Sequence, residues 1–413
     1  MANILYLVHR LPYPPDKGDK VRSFHLLKHL LAEHRVFLGT FIDDPADAAH
    51  IDTLRAMCAD LAVVELVPRL AKWRSLRGLA RQEPLTLGYY RDARLARWVE
   101  QKVSNDRIDV AVVFSSSMAQ YVERVPDIPT LLDFVDLDSA KWSQYADSRS
   151  WPMSWLYKRE AVRLLEYECA VAKKVQRSFF VTDSEVQLFL QSAPECAARV
   201  QSMGNGVDAE YFRPEPKLAS PFDARHTPIV FTGAMDYWPN VDAAIWFAGE
   251  VMPALRVRWP AAHFYIVGRN PVPSVAALES DAVTVSGTVP DVRPYLQHAA
   301  VVVAPLRVAR GIQNKILEAM AMGCAVVASR ASAAAIETHG RTALVAATEA
   351  AEFVEQVDKL LHSSQRMHDI GAAARECIVE RYGWRARLSA IDRHIGQAAG
   401  RHRHRSVPLK VPA

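Results

Sequence analysis

The chain has 413 residues, half of them hydrophobic and 23% charged, and its 50 Lys and Arg against 46 Asp and Glu leave a net charge of only +4. That length points to two domains rather than one small core. The near balance of charge argues against nucleic acid as the partner, and the five scattered cysteines have neither CxxC nor Cys/His spacing, which excludes a structural zinc site or a disulfide framework.

No run reaches the roughly 20 apolar residues of a membrane span. The first residues, "MANILYLVHRLPYPP", lack the basic start and long apolar core of a secretion signal. "NILYLV" reads instead as a first strand, and a cytoplasmic protein is expected. Further strands follow at "RVFLGTF", "LAVVELV", "DVAVVF" and "PTLLDFV". They are short, unalternating and rich in Val, Leu, Ile and Phe, the pattern of parallel strands buried on both faces. Helical stretches separate them, over 21–33, 47–60 and 154–174.

Between the third and fourth strands lies "LVPRLAKWRSLRGLARQEPL", residues 66–85. Leu70, Trp73, Leu76 and Leu79 or Ala80 recur there at helical spacing among Arg69, Lys72, Arg74, Arg77 and Arg81. Two readings are open: a surface helix with its apolar stripe on the core, or a helix lying on an anionic membrane. "RSFFVTDSEVQLFL" then reads as strand and helix, with Asp183 or Ser184 as the cap.

The periodicity stops at 206–227, which with Pro228 holds four prolines, and a linker is expected there. A second run of strands begins after it: "PIVFTG", "AHFYIVG", "AVTVSG", "AAVVVAP", "CAVVAS" and "TALVAA". The fold class is α/β, with two doubly wound parallel-sheet domains, 1–205 and 228–383, and a cleft between them. The tail 398–413, basic and poor in large apolar residues, is expected to be disordered.

In such sheets ligands sit beyond the carboxyl ends of the strands. After the last of the long apolar strands, "APLRVARGIQNKILEAMAMG" gathers Arg307, Arg310 and Lys315 around a helix start. Cations are disfavoured at a helix N-terminus, which already carries about half a positive charge. A bound anion resolves the conflict. Gly311 opens space for it, and the backbone N–H groups of Gly311, Ile312, Gln313 and Asn314 would face a diphosphate. Glu318, on the same helix, can take two ribose hydroxyls or pair with a surface Lys.

Gly233 ends the first strand of domain two, again before a helix, and no GxGxxG accompanies it, which argues against a nicotinamide enzyme. In domain one, Gly18 lies in a loop with Lys17, Lys20 and Arg22, either an anion site or a solvated basic turn. Asp133, Asp136 and Asp138 cluster at the end of "PTLLDFV", as general base or metal ligands, or with Asp138 simply capping a helix.

Four segments resemble the retaining family four of GT-B glycosyltransferases, the glycosyl transferases group 1. They are "MGNGVDAEYFRP" (203–214), the "VGRNP" turn, "GTVPDVRPYLQHAAVVVAPLR" (287–307) and "KILEAMAMGCAVVAS" (315–329). "YPPDKGDKVRSFH" and "FVDLDSAKW" resemble the exopolysaccharide sugar transferases associated with PEP-CTERM/exosortase clusters.

The resemblance implies two Rossmann-like domains, an acceptor domain first and a nucleotide-sugar domain second. A last helix at 384–397 would cross back to domain one. It implies transfer with retention from a nucleoside diphosphate sugar to a glycan or lipid-linked acceptor, with no cofactor or metal required. Glu318 matches the glutamate that holds the donor ribose, and Gly18 the loop glycine facing the donor phosphates. The position of a second family glutamate is Arg310 here, which accepts no hydrogen bond. It either joins Lys315 on the diphosphate or reads a carboxylate on the sugar. Asp136 or Asp138 takes the place of a histidine found in relatives. A GT-B nucleotide-sugar epimerase and a non-catalytic nucleotide-sugar or glycan-binding protein are the alternatives.

Overall fold

A computed structural model of the chain describes residues 1–15, 18–147, 150–308 and 312–405. It divides into two compact units, Met1–Asn205 together with the residues from Arg387 onward, and Gly206–Ala386.

The first unit is built on a seven-stranded sheet of β1 (Asn3–Val8), β2 (Arg35–Ile42), β3 (Asp60–Glu65), β4 (Val110–Phe114), β5 (Thr130–Val135), β6 (Arg177–Phe180) and β7 (Val200–Ser202). Its strand order is β3-β2-β1-β4-β5-β6-β7, and all pairs are parallel. Ile4 faces Val36 on one side and Val110 on the other. All five residues of β4 are buried, as an unalternating apolar run requires when helices cover both faces.

The second unit repeats the plan with β8 (Thr227–Thr232), β9 (Ala262–Val267), β10 (Val283–Gly287), β11 (Val301–Ala304), β12 (Val326–Ser329) and β13 (Val345–Ala347). The order is β10-β9-β8-β11-β12-β13, again parallel. Each sheet therefore reverses its winding once, between β1 and β4 and between β8 and β11. Those two switch points are where an open α/β sheet leaves a crevice for ligand.

Several local features differ from the sequence reading. The stretch 47–60 is a 3-10 turn, Pro45–His50, followed by the short helix Ile51–Met57. Thr182, not Asp183 or Ser184, caps the helix Asp183–Ser192, its hydroxyl accepting from Glu185 N at 3.2 Å. The short strand β7 had no apolar run long enough to announce it. The segment 206–227 packs within the second unit, where Val207 is buried and its carbonyl and amide bond Trp384 and Tyr382. The last helix runs from Trp384 to Arg405, beyond the expected end, because Ala398 and Ala399 are buried rather than free in a tail. Residues 406–413 lie outside the described residues.

Candidate functional site

The second unit offers one site at its switch point. β8 ends at Thr232, and Gly233 follows where the chain leaves the sheet. A Cβ on Gly233 would stand 2.7 Å from Asn240 Nδ2 and 2.8 Å from Lys315 Nζ. Next to it, a Cβ on Gly268 would fall 1.6 Å from the Gly233 carbonyl oxygen, so only glycine lets the two loops meet. Lys315 reaches this spot from the first turn of the helix Asn314–Ala321, which follows β11. Its ammonium donates to Asn240 Oδ1 at 2.5 Å and lies 4.4 Å from the centre of the Phe231 ring. Asn240 is itself buried and donates to Ala234 O at 2.9 Å.

That helix presents the chemistry expected of an anion site. Gln313 precedes it in extended conformation, and the backbone N–H groups of Asn314 and Lys315 are its first, which have no intrahelical acceptor. Burial lowers the Lys315 amine to about 7 against the pull of Glu318. Burial likewise raises the Glu318 carboxyl to about 7, with Lys315 opposing. A diphosphate placed here would restore the charge that burial strips from Lys315.

The other predicted donor residues fare differently. Ile312 and Asn314 are exposed. Arg307 forms an ion pair with Asp242, Nε donating to Oδ2 at 2.9 Å, and lies 5.9 Å from the centre of the Trp246 ring. Its charge is thus answered within the protein. Arg310 and Gly311 lie outside the described residues, as does Lys17.

In the first unit Lys20 and Arg22, expected on the acceptor side, turn inward and are each held by a buried aspartate. Lys20 is buried against Asp47, with both carboxylate oxygens within 2.8 Å. Arg22 is buried and makes a bidentate pair with Asp133 at 2.8 and 3.1 Å, and also donates to Met203 O and Asn205 Oδ1. Gly18 opens the helix Gly18–Glu33. Asp133 is consumed by Arg22, so the predicted aspartate cluster reduces to Asp136 and Asp138.

Those two do share a site. Register slips between β5 and β6 at Asp133 and Val135, and Val135 takes a φ of 70°. A β-branched residue in that region is strained. The kink turns Asp136 off the sheet toward Lys141, whose ammonium donates to Asp136 at 2.6 Å and to Asp138 at 3.2 Å. Ser115, at the end of β4, also has a positive φ of 77°. Together these residues border a cavity of about 850 Å³ at the β1/β4 switch point, whose lining includes His9, Ser115, Asp136, Asp138, Lys141 and Glu160.

Residues not singled out in the sequence complete this cavity. His9 approaches Asp19 at 3.6 Å and stacks on Phe114. Asp19 is held below the usual carboxylate range, its burial outweighed by His9 and Arg10. Glu160 is buried and accepts from the amides of Leu85 and Thr86 at 2.7 and 2.9 Å. Outside the cavity lining but close to its aspartates, burial pushes Glu185 up to about 7, with the charge of Asp136 adding to it, and Glu168 to about 8, with Asp138 adding. No spacing in the sequence links these partners, since they come from different strands and helices. Among the described residues no group of three or more His, Cys, Asp or Glu is arranged to hold a metal ion.

Comparison with known proteins adds the family context. Residues 226–363, which hold Gly233, Lys315 and Glu318, match the model of the glycosyl transferases group 1. No curated protein sequence matches the chain. Among solved structures, HepE of Anabaena in complex with UDP is 16% identical, with a TM-score of 0.65 over 96% of this chain and 100% of that one. Sucrose-phosphate synthase of Thermosynechococcus elongatus is 15% identical, with a TM-score of 0.62 over 97% and 100%. WaaG, a glycosyltransferase involved in lipopolysaccharide biosynthesis, is 15% identical, with a TM-score of 0.58 over 94% and 98%. The chain therefore has the GT-B fold and carries a glycosyl transferases group 1 domain in its second unit, findings that together support a glycosyltransferase.

Proposed function

We propose that the protein transfers a hexosyl group from a nucleoside diphosphate sugar to an acceptor hydroxyl, with retention at the anomeric carbon and without a required metal. The observation that carries this reading is the Lys315 ammonium, held by Asn240 against Gly233 at the open start of a helix beyond β11. It is a half-buried cation with a hydrogen-bond partner but no ion pair among the described residues, at the place where the fold binds ligands. HepE, one of the structural neighbours, binds UDP and UDP-glucose, which supports a uridine nucleotide as the first donor to test.

The donor diphosphate would accept from the Asn314 and Lys315 amides and from the Lys315 ammonium, with Arg310 and Gly311 as further donor-side candidates from the sequence. Glu318 would receive the ribose hydroxyls. As the bond from C1 to the phosphate oxygen breaks, Lys315 and the helix amides stabilise the charge that develops on the leaving diphosphate. The acceptor oxygen bonds to C1 on the same face, and its proton passes to the departing phosphate. Asp136 and Asp138, bridged by Lys141, would orient the acceptor at the cavity of the first unit.

The resemblance of the segments around Gly18 and Asp136 to exosortase-associated transferases supports a bacterial exopolysaccharide unit, lipid-linked, as acceptor. The basic stretch 66–85 supports work at the inner face of the cytoplasmic membrane. The test is incubation with a panel of nucleotide sugars and lipid-extracted acceptors, read by nucleotide release and by NMR of the new anomeric proton. Release with retention is expected. Product of inverted configuration, or sugar epimerisation with no transfer, would overturn the reading.

A further inference from the structure

The stretch 66–85 folds as two short helices, Pro68–Ser75 and Arg77–Arg81. Their faces are inverted relative to an ordinary surface helix. The residues turned to the core are the small ones, Ala71, Ser75 and Gly78. The large apolar ones point outward: Leu70 is 67% exposed and Trp73 74%, and Val67, Leu76 and Leu79 join them. A soluble protein ordinarily hides such a stripe.

A second element extends the same surface. Arg159, on the helix Met153–Lys174, donates to Gly78 O at 2.8 Å and Glu83 O at 3.1 Å, which ties the start of that helix to the first pair. Just before and within its first turn, Trp151 is 79% exposed and Trp155 56%. Met153 and Tyr145 are exposed as well. Leu76, Tyr145 and Met153 also line the 850 Å³ cavity that holds Asp136 and Asp138. The apolar surface and the cavity mouth are thus continuous.

The charge around this surface is positive. Arg69, Lys72, Arg77 and Arg81 are exposed and form no ion pair among the described residues, whereas Glu83, the one acid between 66 and 85, pairs with Arg91 at 2.9 Å. Aromatic and aliphatic tips surrounded by unanswered cations complement the interface of a bilayer bearing anionic headgroups. No helix among the described residues is long and apolar enough to cross a membrane.

We propose that the first unit docks on an anionic bilayer through the outward face of 67–81 and the Trp151–Trp155 turn, which sets the cavity mouth at the lipid surface. Docking stands on these observations alone. Its consequence, an acceptor presented by its lipid anchor, rests on the transferase reading above. Leu70 and Trp73 enter the headgroup layer while Arg69 and Arg77 meet the phosphates.

The test is flotation of the full chain with vesicles of phosphatidylcholine alone or with a quarter phosphatidylglycerol. Binding to the anionic vesicles and little to the neutral ones is expected. Arg69→Gln with Arg77→Gln should weaken it about 30-fold, at roughly fivefold for each cation near the surface. Leu70→Ser with Trp73→Ser should abolish most of it, and Val257→Ser, an exposed apolar residue of the other unit, should leave it unchanged. Circular dichroism and UDP titration should match the unmodified protein in every variant, because none of the five positions lines the cavity or belongs to the Gly233, Lys315 and Glu318 site. Equal binding to neutral vesicles, no binding, or variants that bind as before would overturn the proposal. So would concentration-dependent self-association abolished by the Leu70/Trp73 pair, which would make the face a protein interface. Loss of UDP binding or sugar transfer with vesicle binding intact would count against the transferase reading alone.

Discussion

Replacing Lys315 by Met should make the protein more stable and its nucleotide site worse. Burial lowers the amine from the usual 10.5 to about 7. Taken at face value that is about 5 kcal/mol of preference for the neutral form. Solvent at the partly open side of the residue reduces this to about 2–3 kcal/mol. Met fills the same space without the charge, but leaves Asn240 Oδ1 without its donor, at about 1 kcal/mol. The net gain is about 1–2 kcal/mol, or roughly 2–8 °C in Tm for a unit of this size.

The gain depends on pH in a defined direction. Between pH 7 and 10.5 the unfolded chain holds a proton at Lys315 that the folded chain does not, so wild-type stability rises with pH across that window. The advantage of Lys315→Met is therefore largest at or below pH 7 and fades toward pH 10.5. Over the same substitution UDP affinity should fall about 10- to 150-fold, the loss of a charge-assisted contact of about 1.5–3 kcal/mol. Calorimetric melting across pH and isothermal titration with UDP measure both. A destabilised variant with unchanged UDP affinity would refute the reasoning, since it would make Lys315 a structural residue.

Three further outcomes are expected. A bound diphosphate raises the Lys315 amine above its free value of about 7, so UDP affinity should be level below pH 7 and fall up to tenfold per unit above it; titrations at pH 8 in buffers of different ionisation enthalpy should report proton uptake, and release or no uptake would contradict it. Asp133→Ala leaves the buried Arg22 guanidinium unpaired and should cost about 3–5 kcal/mol in denaturant unfolding, with UDP affinity of the surviving fold unchanged. Asp136→Asn should slow sugar transfer at least about tenfold while UDP binding stays as it was, and equal rates would remove Asp136 from the acceptor site.

Much of the architecture could be read from the residues because buried parallel strands leave a local signature. "DVAVVF" and "AAVVVAP" are apolar without alternation, and both became central strands. The pairing of cations with their partners leaves no such trace. Lys20 and Arg22 look like solvated or ligand-facing charges until the fold brings Asp47 and Asp133 to them across 27 and 111 residues. Arg307 meets Asp242 in the same way, 65 residues apart. Periodicity at 66–85 fixed a stripe but not its direction. What decides direction is which neighbours have room, and beneath Gly78 the carbonyl of Glu83 stands 3.1 Å from where a Cβ would be. Only small residues fit that inner face, so the large ones go out. Lys315 was visible because its position defied the helix dipole, whereas Asn240, its partner, is an ordinary asparagine in sequence.

The most direct test of the central claim is a thermal-shift panel of nucleoside diphosphates and their sugars without added metal. Ligand that binds only the folded state raises Tm by mass action. A shift with one base, reduced at equal ligand concentration in Lys315→Met and Glu318→Ala, is the predicted result. A shift that persists in both variants, or none with any nucleotide, would contradict the assignment of the donor site to Gly233, Lys315 and Glu318.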